Sequence, residues 1–198
     1  MRRLAHVGLL LWGLTGAWAC GADTSIVELD WAFVDYNGEP IFPGGSIIQN
    51  RDTCALDGRD ELGTTPYALN VALVIEDLAC LEDLADAGSV DTTTCEVARE
   101  TFDCDRARGA ITGVPISDEP YLMRVEVWAD PEGPEAEPFE VDSSCIAIPG
   151  PRTRKVEGGR ITDLAVYQLV ANGIELGDSP RLLDLSGCRA SDPAEPGG

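Results

Sequence analysis

The sequence predicts an all-β sandwich of about seven or eight strands with a short helical, cysteine-bearing insertion. Three observations point there. Several stretches alternate apolar and polar residues with period two. Gly, Pro and Asn punctuate the chain between those stretches, at the spacing of a β-sandwich. Cysteines spread at wide intervals suit loops stapled by bridges rather than a compact metal knuckle.

The elements follow in order. From Ile26 to Asp35, Val27, Leu29, Trp31 and Phe33 alternate with Glu28, Asp30 and Ala32, giving a strand with one buried face. Asn37-Gly38 turns the chain, and Pro40, Pro43, Gly44 and Gly45 keep the next segment irregular, with Ile47-Ile48 as a short strand. Tyr67, Leu69, Val71, Leu73 and Ile75 form a second stripe, and Ala68, Ala72 and Val74 opposite imply a strand covered on both sides. Leu78, Leu81 and Leu84 then recur at helical spacing among acids, so residues 76–87 read as a short acidic helix ending near Gly88. The span from Cys95 to Cys104 fits neither period.

Ala107 to Val114 reads as a strand leading into a Pro115 to Pro120 loop. Tyr121 to Ala129 is a third clear strand, with Tyr121, Met123, Val125 and Val127 on one side and Arg124, Glu126 and Trp128 on the other. Asp130 to Pro138 is an acidic, proline-rich loop, and Phe139 to Ile148 reads as one strand. Arg152 to Glu157 and Arg160 to Val170, joined by Gly158-Gly159, read as a hairpin. Residues 171–198 lose alternation and read as a C-terminal tail. The domain thus runs over residues 26–170, with the insertion at about 76–104.

Ahead of it stand Arg2 and Arg3, an apolar run from Leu4 to Trp12, and Ala17-Trp18-Ala19, the three parts of an export signal over residues 1–19. This run is shorter than the ~20 apolar residues of a membrane span. Ala19-Cys20-Gly21-Ala22 resembles a bacterial lipobox, so Cys20 is expected to carry a lipid, with residues 20–25 as a tether to the bacterial cell envelope. Plain secretion, with a cut after Ala19 and a spare thiol, is the competing outcome. The chain has seven cysteines, and lipidating Cys20 leaves an even set: Cys54, Cys80, Cys95, Cys104, Cys145 and Cys188. The expected bridges are Cys80–Cys95, Cys54–Cys104 and Cys145–Cys188.

The net charge is −21, and removing residues 1–19 takes away two arginines and no acid, so the remaining chain is more acidic still. Such a surface repels nucleic acid and excludes it as a partner. The sole histidine, His6, lies in the export segment, which removes Ser-His-Asp and Cys-His catalysis and His-ligated zinc from the exported protein. No G-x-S-x-G or phosphate-binding loop is present. A secreted carboxylate-based hydrolase is a further alternative, but 35 acidic residues make chance pairs unavoidable, so such pairs carry no signal for it.

Three groups are candidates for binding. Asp130, Glu132, Glu135 and Glu137, with Glu140 and Asp142 beyond them, offer hard oxygen ligands for calcium, or simply a solvated loop. Arg152, Arg154, Lys155 and Arg160 form a basic cluster able to grip an anion, pair with acids or guard a sheet edge. Trp31 and Trp128 are candidates to stack on sugar rings. Trp31 belongs to the apolar stripe and fits the core, whereas Trp128, opposite Tyr121 and Val125 and beside Glu126, is the candidate for an exposed platform.

Ile111-Thr112-Gly113-Val114-Pro115 followed by Tyr121-Leu122-Met123-Arg124-Val125-Glu126-Val127 resembles the proline-loop and tyrosine-strand signature of transthyretin-like, carboxypeptidase-regulatory-like sandwiches. The opening strand through Trp31 and the run from Gly158 to Leu164 are similar to elements of exported bacterial lipoproteins of that kind. The resemblance implies an Ig-like, prealbumin-like sandwich, non-catalytic, engaged in adhesion, carbohydrate contact or scaffolding, and it assigns no site. The expected function is that of a membrane-anchored, non-enzymatic lipoprotein that is structural or binds an unidentified protein or glycan partner. A calcium-dependent carbohydrate or adhesion module is the alternative.

Overall fold

The computed structural model of the chain describes residues 24–41, 55–60, 63–88, 92–131, 137–172, 174–175, 182–184 and 187–190. These residues form an all-β sandwich of two sheets with one short α-helix. The strands are β1 (Ile26–Val34), β2 (Ala55–Asp60), β3 (Gly63–Asp77), β4 (Glu96–Asp103), β5 (Arg108–Thr112), β6 (Tyr121–Pro131), β7 (Phe139–Glu140), β8 (Ile146–Ala147), β9 (Arg152–Arg154), β10 (Ile161–Ala171), β11 (Ile174–Glu175) and β12 (Leu182–Asp184). The smaller sheet has the order β5-β1-β10-β8. The larger runs β11-β12-β2-β3-β6-β7, with β4 also pairing β3 and β9 also pairing β6. Strands of two or three residues account for the excess over seven or eight.

Period-two alternation decides the core. Val27, Leu29, Trp31 and Phe33 of β1 face Leu69, Val71, Leu73 and Ile75 of β3 and Met123, Val125 and Val127 of β6 in one buried cluster. Trp31 lies in this core as expected, 5.8 Å from the Phe102 ring, and its indole N–H donates to the Cys104 carbonyl at 3.2 Å. Gly109 has to be glycine, because a Cβ there would stand 2.4 Å from the Phe102 ring. In β10, an extra residue relative to β1 falls where Ala165 takes φ 56°, and this bulge carries the alternation from Asp163 to Val166.

The helix α1 (Leu78–Asp86) forms where expected, capped by Asp77, whose carboxylate accepts from the Cys80 N–H at 3.1 Å. It buries no residue, so little apolar burial holds it, and the Cys80–Cys95 bridge ties it to the start of β4. Cys145–Cys188 joins the β7–β8 turn to the C-terminal segment. Each bridge contributes about 2–4 kcal/mol by restricting the unfolded chain. Cys104 is also disulfide-bonded. Cys54, expected as its partner, lies outside the described residues, as do residues 1–23 with Cys20, and Ile47-Ile48. Among the described residues no helix is long and apolar enough to cross a membrane.

Two strand expectations are corrected. Phe139 to Ile148 is not one strand: the Asp142 carboxylate accepts from the Ser144 N–H, the chain turns at 143–145, and β7 and β8 fall in different sheets. Arg152 to Val170 is not a hairpin either. The Gly158-Gly159 turn exists, with Gly159 at φ 69°, but β9 pairs antiparallel with β6 while β10 pairs parallel with β1 in the other sheet. Local turn chemistry set the bend; pairing partners were decided by which side of the core each strand's apolar face had to meet. The ambiguous 95–104 span is β4, a strand of the larger sheet within the expected insertion, and the tail contributes β11 and β12.

Candidate functional site

The outer face of the larger sheet carries the most developed polar structure among the described residues. Cross-strand register assembles it. Val74 of β3 lies between Arg99 of β4 and Arg124 of β6, and Ala72 lies between Thr101 and Glu126. Asn70 lies between Asp103 and Trp128, and Glu140 of β7 follows Trp128 on the far side. Ala72 and Val74, expected to be covered on both sides, are fully buried. Among the described residues their outward cover is side chains rather than a further layer of secondary structure.

Those side chains alternate in charge. Glu126, only 5% exposed, accepts two bonds from Arg99, Nη1 to Oε2 at 2.5 Å and Nη2 to Oε1 at 3.3 Å. It also accepts from Arg124 Nη1 and from the Trp128 indole Nε1 at 3.0 Å. Arg124 reaches on to Glu76, with Nε to Oε2 at 3.1 Å, and Arg99 to Glu96, with Nε to Oε2 at 3.0 Å. Bidentate pairing of this kind is strong and directional.

The electrostatics follow from burial set against pairing. Burial raises the Glu126 carboxyl, but the hydrogen bonds from Arg99 and Trp128 and the charge of Arg124 outweigh it and hold the group below its ordinary value. Burial likewise opposes the charge on Arg99, and its bonds to Glu96 and Glu126 overcome this and push it upward. Glu140 moves the other way: burial and the nearby negative charge of Glu126 raise it.

At the end of this network Asn70, Arg99, Thr101, Trp128, Asp130 and Pro138 line a recess of about 300 Å³. The indole N–H of Trp128 is engaged by Glu126, so the ring is what it offers a ligand. A second recess of about 370 Å³, between β4 and β5, is a poorer candidate. Its ring, Phe102, is buried in the core, and its Arg108 is already paired with Glu28 at 2.9 Å.

The residues singled out from the sequence are placed as follows. Trp128 is in the recess with Asp130 beside it. Glu132 and Glu135 lie outside the described residues, and Glu137 is exposed. Among the described residues no group of three or more His, Cys, Asp or Glu is placed to hold a metal ion. The basic cluster disperses: the Arg152 guanidinium lies 4.1 Å over the Tyr167 ring, Arg154 bonds to the Thr153 carbonyl, and Arg160 pairs with Glu157. Asn70, Arg99, Thr101, Glu126 and Pro138 were missed. The available signal was the both-sided burial of β3 together with Arg124, Glu126 and Trp128 spaced by two along β6.

No protein-family model, curated protein or solved structure matches the chain.

Proposed function

We propose that the protein is a non-enzymatic lipoprotein of the bacterial cell envelope, tethered by a lipid on Cys20, whose disulfide-stapled sandwich binds a partner through the Trp128 face of its larger sheet. In this reading residues 1–19 direct export and are removed. The observation that carries it is the state of the cysteines. Cys80, Cys95, Cys104, Cys145 and Cys188 are all disulfide-bonded, the usage of an oxidising compartment. If Cys54 is the partner of Cys104, as the sequence leads one to expect, the seventh cysteine, Cys20, is the one left for lipid. The loss of the only histidine with the leader supports a binding role over catalysis. The recess beside a partner-ready aromatic ring supports the choice of face.

Intact-mass analysis of the mature N-terminus, with fractionation of wild type and Cys20→Ala, tests the tether. The expected result is an acylated Cys20 in the membrane fraction and release of the variant. An unmodified Cys20 thiol in a freely soluble protein would overturn the lipoprotein reading.

A further inference from the structure

The inference here rests on the Trp128 face being the binding face, and it gives that face a ligand chemistry. We infer that the recess is a metal-independent subsite for one neutral hexopyranose unit of a glycan, stacked on the Trp128 indole and held at its hydroxyl edge by Asp130, Asn70, Thr101 and Arg99.

A pyranose ring has two unlike surfaces. Its faces are largely C–H and apolar, and its edge is lined with hydroxyls that donate and accept at once. A site for it therefore needs a rigid aromatic wall with polar groups of both kinds beside it. Trp128 is made rigid twice, by its place in the β6 ladder opposite Asn70 and by its N–H bond to Glu126 at 3.0 Å. Engaging that N–H removes it from competition and leaves the ring as the contact surface.

Register places the polar groups. Asp130 follows Trp128 by two residues and so shares its face of β6, while Asn70 stands directly across on β3. Thr101 and Arg99 rise from β4, on the far side of β3. The two walls are thus two strand spacings apart, roughly 10 Å, with Asn70 of β3 between them. The side chains of Asp130 and Asn70 have no hydrogen-bond partner among the described residues, so both are available to a ligand, one as acceptor and one as both donor and acceptor. A recess of about 300 Å³ is at the lower end for ligand sites, which suits one ring.

Charge decides which sugar. Asp130 lines the recess, Glu126 and Glu140 flank Trp128, and the lining cation, Arg99, is already paired with Glu96 and Glu126, on a chain of net charge −21, so a uronate or sulfated unit is disfavoured. Arg99, bound to Glu126 and Glu96, serves as a hydrogen-bond donor and is not a free cation.

The test uses the full exported protein and a panel of soluble neutral hexose oligosaccharides (α- and β-linked glucose, mannose and galactose series), with oligogalacturonate as the anionic control. Calorimetry is run with and without EDTA on wild type, Trp128→Phe, Trp128→Ala and Asp130→Ala. At least one neutral series should bind, EDTA should leave its affinity unchanged, and oligogalacturonate should not bind. Trp128→Ala and Asp130→Ala should each weaken binding about tenfold or more, while Trp128→Phe, which keeps a ring without the N–H, should retain most of it. Absence of binding by every neutral series at about 10 mM would overturn the inference, as would loss of binding in EDTA, equal binding of the anion, or unchanged affinity in Trp128→Ala. A chaotic fold in Trp128→Ala leaves Trp128→Phe and Asp130→Ala to decide. If no sugar binds but Trp128→Ala still loses its cross-linked partner in native envelopes, the sugar chemistry fails and the binding face stands; loss of neither signal removes both.

Discussion

On the outer face of the larger sheet, Arg99 and Arg124 are each about one-third exposed and lie over fully buried Ala72 and Val74, and the acid between them, Glu126, is only 5% exposed. On the outer face of the smaller sheet, Arg108 reaches Glu28 at 2.9 Å and Asp30 at 3.5 Å, yet its own side chain is 63% exposed, and Ile161 and Val166 stand bare beside the pair. Both faces carry arginines across from acids on neighbouring strands. The difference is that one set is interlocked through a shared buried carboxylate and the other is not. Shared burial converts side-chain charges into a fixed surface, and a fixed surface is what can present an aromatic ring to a ligand without first paying to order it.

The largest expected effect comes from removing the shared acid. Among the described residues, Glu126→Ala leaves Arg99 with Glu96 alone, Arg124 with Glu76 alone and the Trp128 N–H without its acceptor, and should cost about 3 kcal/mol of stability in urea unfolding. Arg108→Ala should cost no more than about 0.5 kcal/mol, because its pairs are solvated. Equal costs would erase the contrast. Next in size is the apolar floor. Val74→Ala should destabilise by about 2 kcal/mol although it is on an outer face, and Val166→Ala, its counterpart on the smaller sheet, should fall within about 0.5 kcal/mol of wild type.

Acidity sharpens the contrast within the network itself. Because Glu126 is held below its ordinary value of 4.5 in the folded state, its contribution is complete above that value and is lost as the pH falls through the lowered one. Glu140, raised above 4.5, has the opposite sign: its ionisation costs stability as the pH rises through the shifted range. Thermal unfolding across pH 3–6 should therefore lose acid sensitivity in Glu126→Gln and gain stability at the upper end in Glu140→Gln. The smallest effect is screening. Raising salt to about 1 M should abolish what Arg108 contributes and leave the cost of Glu126→Ala largely intact.

Much of this was legible from residues alone, and the reason differs by element. β3 and β6 declare themselves because burial of one face imposes period two over nine or more residues, and α1 because its leucines shift to helical spacing. Cys80–Cys95 was readable because it spans the insertion that it closes. β4 was not: as an edge strand with Arg99, Glu100 and Thr101 exposed, it has little alternation to detect. The break between β7 and β8 and the partners of β9 and β10 were misread because each pairing depends on a sheet built by distant segments, and a good turn sequence does not name the partner of the strand that follows it. The recess was half legible for the same reason. Trp128 could be placed on the polar side of β6, whereas Asn70, Thr101 and Arg99 join it only through the register of three strands.

The most direct test of the central claim is site-specific photo-cross-linking in the native cell, with the probe placed at exposed Glu137, beside the Pro138 rim of the recess, or at exposed Val166 on the opposite sheet. The account predicts a discrete adduct from position 137 that is lost on Trp128→Ala, and none from position 166. An adduct from position 166 alone would contradict it.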